Sequence, residues 1–256
     1  MRALLPPDHT LSLTNPTGQT YTLRLWTASA EAPTLLLLDG DWVQDSIQQF
    51  VQRYPRSINI ASVGYGLSQA ETAVRRAYDF TPPHPDGNVD PRVSTWKNGG
   101  AAEFSAFLTQ HVLPALQPHV DLQTSRLGLF GHSYAGLYAL YAWLQPDTTF
   151  AQYIVASPSV WWRWPHLHQL AAGIHPAPHP APLRILLGEN EQWHAHPQQP
   201  GQVRPPGEPT LPLIQAWLHA LPSTLQPYCQ LELCPQMAHG PMLAHSATIA
   251  LELMRL

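Results

Sequence analysis

The sequence predicts an α/β fold, in which a mostly parallel central sheet carries helices on both faces. Short, continuously apolar segments such as 34–38 have the character of strands that are buried on both sides. Segments with apolar residues at helical spacing alternate with them, as in proteins with parallel sheets. The 256 residues suffice for one such unit, so we expect a single domain over 1–256, with proline-rich loops around 158–182 and 194–212.

The elements follow in order along the chain. Alternation of apolar and polar residues around Asn15-Pro16-Thr17-Gly18 predicts a β-hairpin over 10–28, and the Pro, Gly, Asp and Asn content of 81–100 indicates a loop. The remaining predicted strands are 34–38, 58–63, 126–130, 152–156, 183–187 and 228–233. The predicted helices are 43–53, 101–116, 134–145, 213–221 and 242–255.

Composition excludes several classes of protein. The net charge is −4 and the only lysine is Lys97, so no basic surface for nucleic acid is indicated. The start of the sequence lacks the apolar segment of an export signal, and Leu35 to Leu38 is too short a run to cross a membrane. We therefore expect a cytoplasmic protein that has no membrane span, binds no nucleic acid and acts on a small molecule.

The two cysteines, Cys229 and Cys234, are five residues apart on a predicted strand. Their side chains should point to opposite faces, which disfavours a disulfide between them and fits a reducing compartment. The sequence shows no metal-ligand spacing, and no metal or organic cofactor is expected.

The strongest chemical signal is Gly131-His132-Ser133-Tyr134-Ala135-Gly136, which lies between a predicted strand and a predicted helix. This order is that of a nucleophile elbow, in which a serine sits on a strained turn. The turn requires small residues two before and two after the serine, and Gly131 and Ala135 occupy these positions. Ser133 is therefore the candidate nucleophile, and the alternative is a serine that only caps a helix.

A serine hydroxyl needs an adjacent base, and in α/β hydrolases a histidine follows the last strand. His239 has this position, and the glycine and proline beside it indicate a loop. The acid should follow the preceding strand, where Glu191 is the first choice and Glu189 the second. Either carboxylate could instead belong to a loop without a catalytic role.

Two backbone N–H groups should meet the oxyanion of the reaction. One is expected from Tyr134, directly after the nucleophile. The other is expected from Gly40 or Asp41, in the turn after an early strand. The same turn could also be an ordinary one.

Together these segments resemble the putative-esterase (esterase D-like) family of α/β hydrolases, and most closely its siderophore esterases, which open the trilactone of enterobactin and salmochelin. Two of the resembling segments, R-x-x-D-F-T-P and S-P-S-x-W-W, are not general hydrolase features. The segments are Leu38 to Asp41, Arg76 to Pro82, Gly99-Gly100 with Phe104, Phe107 and Leu108, Gly131 to Leu137, Ser157 to Trp162, Gly188 to Gln192 and His239 to Met242.

The resemblance implies ester hydrolysis by Ser133 and His239, and it implies that Arg76 lines the pocket and meets an anionic substrate. Some members of the group work with a Ser–His pair and no well-placed acid, which leaves the role of Glu191 open. Ala135 departs from the second glycine that the family usually carries after the serine.

A ferric catecholate siderophore carries negative charge and flat aromatic rings, which guanidinium groups and aromatic faces would recognise. The alternative is that Trp161 and Trp162 pack in the core and that Arg75 and Arg76 form a surface pair. The candidates for substrate binding are Arg75, Arg76, Arg163, Trp161, Trp162, Trp164 and Trp193.

Three functions follow from these observations. The first is hydrolysis of the ester bonds of a siderophore, which releases iron. The second is a general carboxylesterase or thioesterase activity, because the same catalytic residues would serve it. The third is binding of a ferric siderophore without catalysis, which would give Ser133 and His239 no use.

Overall fold

The computed structural model describes residues 5–146, 149–174, 180–191 and 210–256. Its strands belong to one sheet of eight. They are β1 (His9–Thr14), β2 (Thr20–Trp26), β3 (Thr34–Leu37), β4 (Asn59–Gly64), β5 (Leu127–His132), β6 (Gln152–Ala156), β7 (Leu183–Gly188) and β8 (Cys229–Cys234).

The strand order is β1-β2-β4-β3-β5-β6-β7-β8. The hairpin β1–β2 pairs antiparallel and joins β4 antiparallel, whereas every pair from β4 to β8 is parallel. The prediction of a mostly parallel sheet is confirmed, and so are the hairpin and all six further strands, whose ends differ from the prediction by at most two residues.

The α-helices lie between the strands, as the alternating pattern predicts. They are α1 (Gln44–Arg53), α2 (Gln69–Asp79), α3 (Ala101–Phe107), α4 (Leu113–Leu116), α5 (Tyr134–Trp143), α6 (His166–Ala172), α7 (Thr210–Ala220) and α8 (His239–Arg255). A π-helical turn, Leu108–Val112, joins α3 to α4, so the helix expected over 101–116 is interrupted.

Three helical segments differ from the prediction. Helix α2 was not expected, although Ser68 and Glu71 form a capping box at its start. Helix α6 lies inside the proline-rich segment 158–182. Residues 210–212, expected as the end of the loop 194–212, begin α7, while 194–209 and 175–179 lie outside the described residues.

The core has two parts, one on each face of the sheet. Helices α1 and α8 cover one face, where Ile47, Phe50 and Leu251 pack against Leu35 and Leu37 of β3. The other helices, including α3, α5 and α7, cover the opposite face. Because β3 is buried on both sides, all four of its residues are apolar or hydrogen-bonded, which explains its continuous apolar sequence.

The sheet brings distant segments to one edge. In the parallel register Leu37 lies opposite Phe130, His132 opposite Ala156, and Gly188 opposite Cys234. The turns that follow β3, β5, β6, β7 and β8 therefore leave the sheet at the same edge, where ligand sites of open α/β sheets form.

Cys229 and Cys234 are both free thiols. Burial raises the pKa of Cys229 to about 12 and also raises the pKa of Cys234. Within the described residues, the longest helix is α8 with 17 residues, and none has the length and apolar character that a membrane span requires.

Candidate active site

Ser133 occupies a strained turn between β5 and α5. Its φ is 60° and its ψ is −117°, a region that side-chain-bearing residues rarely adopt and that costs about 1–3 kcal/mol. The turn is held because Ser133 N–H donates to the Ala156 carbonyl at 3.0 Å. A Cβ on Gly131 would overlap the Ala135 carbonyl, so this position admits only glycine without a shift of the backbone.

Ser133, His239 and Glu191 form a continuous chain of hydrogen bonds. The distance from His239 Nε2 to Ser133 Oγ is 3.1 Å, and the distance from His239 Nδ1 to Glu191 Oε2 is 2.7 Å. With Glu191 ionised, Nδ1 carries the proton, which leaves Nε2 as the acceptor for the serine hydroxyl. This is the arrangement that general-base activation of a serine requires.

Glu191 is held rigidly, because it is only 3% exposed and its other oxygen accepts two further hydrogen bonds. Ser157 Oγ donates to Glu191 Oε1 at 2.6 Å, and Gly188 N–H donates to the same oxygen at 2.9 Å. Glu189, the second choice from sequence, is exposed and accepts from Gln236 N–H instead. The geometry therefore selects Glu191 as the partner of His239.

His239 is the first residue of α8, not part of a loop as its glycine and proline neighbours suggested. Pro241 is compatible with the first turn of α8, because the N–H groups of a first helical turn have no acceptor within the helix. The ring of His132 lies 4.8 Å from the ring of His239, and His132 Nε2 is 3.1 Å from the His239 carbonyl. His132 thus packs against both the ring and the backbone of His239.

The candidate oxyanion donors are only partly as expected. Tyr134 N–H is the first of α5 and has no acceptor within its helix. Gly40 N–H, in contrast, donates to the Val63 carbonyl at 2.7 Å, which rules it out as a donor in this conformation. A Cβ on Gly40 would contact the Val63 backbone at 2.8 Å, so the glycine is needed for this close approach.

Asp41 remains as the second donor candidate from sequence. Its side chain is anchored on the neighbouring strands, because it accepts from Tyr65 N–H at 2.6 Å and from Gly66 N–H at 2.9 Å, and pairs with Arg24 at 3.0 Å. These bonds tie the turn after β3 to β2 and to the end of β4.

Arg76 differs from what the resemblance implies. Its guanidinium forms a two-point ion pair with Asp39, at 2.6 and 2.8 Å, and the residue is 8% exposed. Burial raises the pKa of Asp39, and the charge of Arg76 opposes that shift. Arg76 is therefore compensated within the protein, and it supports the turn after β3 while stacking on Trp42 at 4.4 Å.

The tryptophans expected to bind substrate separate into two groups. Trp162 is fully buried and its Nε1 donates to Asn98 at 3.3 Å, so it is a core residue. Trp161 is half-buried and lies beside Tyr134. Trp164 packs on His168, and Trp193 lies outside the described residues.

Two of the expected arginines also have structural partners. Arg163 donates to the Val89 carbonyl at 2.5 Å and lies over Trp162. Arg75, on α2, lies over the rings of Tyr21 and Tyr65.

Sequence reasoning missed Arg92, in the loop 81–100. Its guanidinium lies 4.4 Å from the Trp161 ring and 5.0 Å from the Tyr134 ring, and it is hydrogen-bonded to the Tyr134 hydroxyl. Its Nε lies 3.8 Å from Asp90 Oδ1, and 33% of its side chain is exposed. No local pattern marks this arginine, because its neighbours are 42 and 69 residues away in sequence.

Sequence reasoning also missed Ser159, whose hydroxyl lies 3.3 Å from Ser133 Oγ. The S-P-S-x-W-W segment drew attention to its tryptophans, and its serines received no role. No group of three or more His, Cys, Asp or Glu side chains suited to a metal ion occurs in the described part of the chain.

Comparison with known proteins agrees with this geometry. The family described as "Putative esterase" matches residues 10–198. The chain is 35% identical over 150 residues to the siderophore enterobactin esterase of Emericella nidulans, and this alignment covers 52% of this chain and 48% of the relative. It is 32% identical over 151 residues to the apo-salmochelin esterase of Escherichia coli, covering 54% of this chain and 46% of the relative. The matched part thus spans about half the length of these curated relatives.

Solved structures extend the similarity to nearly the whole chain. Siderophore hydrolase EstB from Aspergillus nidulans superposes with a TM-score of 0.77 at 22% identity, covering 99% of this chain and 96% of that one. The enterobactin hydrolase IroE in complex with DFP gives a TM-score of 0.73 at 26% identity, covering 96% and 94%. With the elbow and the parallel sheet already described, these matches establish that the chain has the α/β-hydrolase fold and belongs to the putative-esterase family.

Proposed function

We propose that this protein is a serine hydrolase that cleaves the ester bonds of a siderophore lactone. The observation that carries the proposal is the hydrogen-bond chain from Glu191 through His239 to Ser133, built on a strained elbow. A protein that only binds a ligand would have no use for a buried carboxylate that orients a histidine toward an accessible serine.

The reaction follows from this geometry in two steps. Ser133 Oγ attacks the lactone carbonyl while His239 Nε2 takes its proton, and His239 then donates that proton to the departing alcohol. Water attacks the resulting acyl-enzyme with His239 again as base, and Ser133 leaves with the proton. The N–H groups of Tyr134 and Asp41 stabilise the oxyanion in both steps.

Support for the substrate class comes from the relatives and from Arg92. The matched relatives are named as esterases of enterobactin, apo-salmochelin, triacetylfusarinine C and ferri-bacillibactin. In this chain Arg92 and Trp161 cover the ring of Tyr134, the residue next to the nucleophile. A partly exposed guanidinium between aromatic faces suits a planar, anionic group. Because Arg76 is only 8% exposed in its two-point ion pair with Asp39, whereas 33% of the Arg92 side chain is exposed, we assign this recognition to Arg92.

A reducing, cytoplasmic location belongs to the same proposal. It is supported by the two cysteines, which are both free thiols, since cysteines of proteins in oxidising compartments are commonly paired.

The test is product analysis by mass spectrometry with iron-free and iron-loaded enterobactin-type lactones. We expect the lactone to gain water and open, and we expect Ser133→Ala and His239→Ala to reduce kcat by about 10⁴-fold or more. Hydrolysis of short p-nitrophenyl esters without any opening of the lactone would favour the general carboxylesterase. Binding of the siderophore with no turnover, unchanged in Ser133→Ala, would favour a binding protein.

The role of Arg92 needs a separate comparison of two substrates. Arg92→Ala should lower kcat/KM for the siderophore by about 10-fold to 100-fold, which corresponds to one charged hydrogen bond or stacking contact. It should change kcat/KM for p-nitrophenyl acetate by less than about 3-fold, because that substrate has no anionic ring. Equal losses on both substrates would mean that Arg92 supports Tyr134 and does not recognise the siderophore.

A further inference from the structure

Ser159 places a second hydroxyl group against the nucleophile. Its Oγ lies 3.3 Å from Ser133 Oγ, and the residue is fully buried. Its backbone is tied to the elbow as well, since Ser159 N–H donates to the Ser133 carbonyl at 3.1 Å and Trp162 N–H donates to the Ser159 carbonyl at 2.9 Å. Among the described residues, Ser133 is the only hydrogen-bond partner that the structure records for this hydroxyl.

Counting protons fixes the direction of the hydrogen bond. Glu191 accepts the Nδ1 proton of His239, so His239 Nε2 must accept from Ser133. Ser133 has a single hydroxyl proton, which is used in that bond. The proton between the two serines must therefore come from Ser159, which donates to a lone pair of Ser133 Oγ.

We propose that Ser159 is a catalytic residue whose hydroxyl stabilises negative charge on Ser133 Oγ. The proposal rests on the assignment of Ser133 as nucleophile above, and it does not depend on which ester is the substrate. As His239 removes the proton, charge develops on Oγ, and a hydrogen bond donated to it becomes stronger. Because Ser133 Oγ is also the leaving group when water releases the acyl-enzyme, the same donor assists the second step.

Diisopropyl fluorophosphate provides a probe that depends on the nucleophile and not on substrate recognition. Ser133 Oγ forms a bond to phosphorus, fluoride leaves, and the hydroxyl proton passes to His239. The inactivation rate constant is read from the mass of the intact protein, as a function of pH. In Ser159→Ala we expect the plateau of this rate to fall about 10-fold to 100-fold, the range of one hydrogen bond to a charged group.

The pH profile separates this role from a structural one. If Ser159 acts on Ser133 Oγ, the plateau of the rate falls while the midpoint of the pH profile stays where it is in the wild type. Ser125→Ala is the matched control, because Ser125 is a buried serine that bonds to Thr34 and the Ala32 carbonyl, just before β5 and at the opposite edge of the sheet. It should react at the wild-type rate.

Four further results decide the matter. A rate in Ser159→Ala within about 3-fold of wild type would overturn the proposal, and so would an equal loss in Ser125→Ala. Should Ser159→Ala fail to fold, Ser159→Cys keeps a side chain of the same shape, slightly larger and with a much weaker donor, and must show the same loss. Ser133→Ala must take up no label. If it were labelled as fast as wild type, the assignment of Ser133 as nucleophile would fail, and not the role of Ser159 alone.

Discussion

Replacing Glu191 by glutamine tests whether the buried carboxylate sets the tautomer of His239. Glu191 Oε1 receives two donors, and one of them, Gly188 N–H, cannot reverse its direction. The oxygen of a glutamine amide must therefore occupy that position. Its NH₂ group then faces His239 Nδ1, 2.7 Å away in the wild type, and donates to it. His239 would have to carry its proton on Nε2, where it can no longer accept from Ser133.

The expected loss is large because His239, although not itself mutated, would be held in a tautomer that cannot accept the proton of Ser133. The corresponding aspartate-to-asparagine change in the serine proteases costs about 10⁴-fold in kcat, and each factor of ten corresponds to about 1.36 kcal/mol in the barrier. We therefore expect Glu191→Gln to lower kcat for p-nitrophenyl acetate by about 10³-fold to 10⁴-fold, which is about 4–5.5 kcal/mol. The side chain is almost isosteric, so the midpoint of thermal unfolding should change little.

Glu189→Gln is the matched control, since Glu189 is exposed and lies in the same turn after β7. It should keep at least half of the wild-type kcat. A kcat in Glu191→Gln within 10-fold of wild type would refute the reasoning and would place this protein with the relatives that use a Ser–His pair alone.

Three further changes test the packing and electrostatics around the site. Burial raises the pKa of Asp79 from 3.8 to about 6, so its proton is bound more tightly in the folded state. The free energy of unfolding should therefore fall by about 3 kcal/mol as the pH rises from about 4 to about 7. In Asp79→Asn, urea denaturation should show a free energy of unfolding that depends less on pH, and the same dependence as in the wild type would contradict the assignment. Trp162→Ala should lower the free energy of unfolding by about 3–5 kcal/mol, because the indole is fully buried; a stable variant with a raised KM would instead make Trp162 a substrate contact. Gly131→Ala should destabilise the protein by about 1–3 kcal/mol through the overlap with the Ala135 carbonyl, measured by the same denaturation, and a wild-type stability would show that the elbow tolerates a side chain.

The strands and the elbow could be predicted because their determinants are local. A strand buried on both faces must carry apolar side chains or hydrogen-bonded polar ones, as 34–37 does, and a nucleophile elbow needs its glycine two residues before the serine. The order of strands in an α/β hydrolase then indicated which histidine and which carboxylate follow the last two strands. Helix α2 was missed although its capping box is also a local signal.

The partners of each charged group could not be read in the same way. Arg76 belongs to the R-x-x-D-F-T-P segment, yet it is largely buried in an ion pair with Asp39, which lies 37 residues away in sequence. Gly40 lies in the expected turn, but its N–H is used by Val63 on the adjacent strand. In both cases the residue lies in the predicted segment, but a bond to a residue distant in sequence occupies the group that was expected to meet the substrate or the oxyanion.

By itself, then, the sequence determined the class of sheet, the strained serine and the histidine that could serve it. These depend on periodicity and on residue size, which act over a few neighbouring positions. The tertiary structure alone decided that Glu191 and not Glu189 meets His239, that Arg92 lies beside the nucleophile helix, and that the Ser159 hydroxyl lies beside that of Ser133. Hydrogen bonds and ion pairs act only within about 3–4 Å, and the packing of the turns at the carboxyl edge of the sheet determines which side chains come that close.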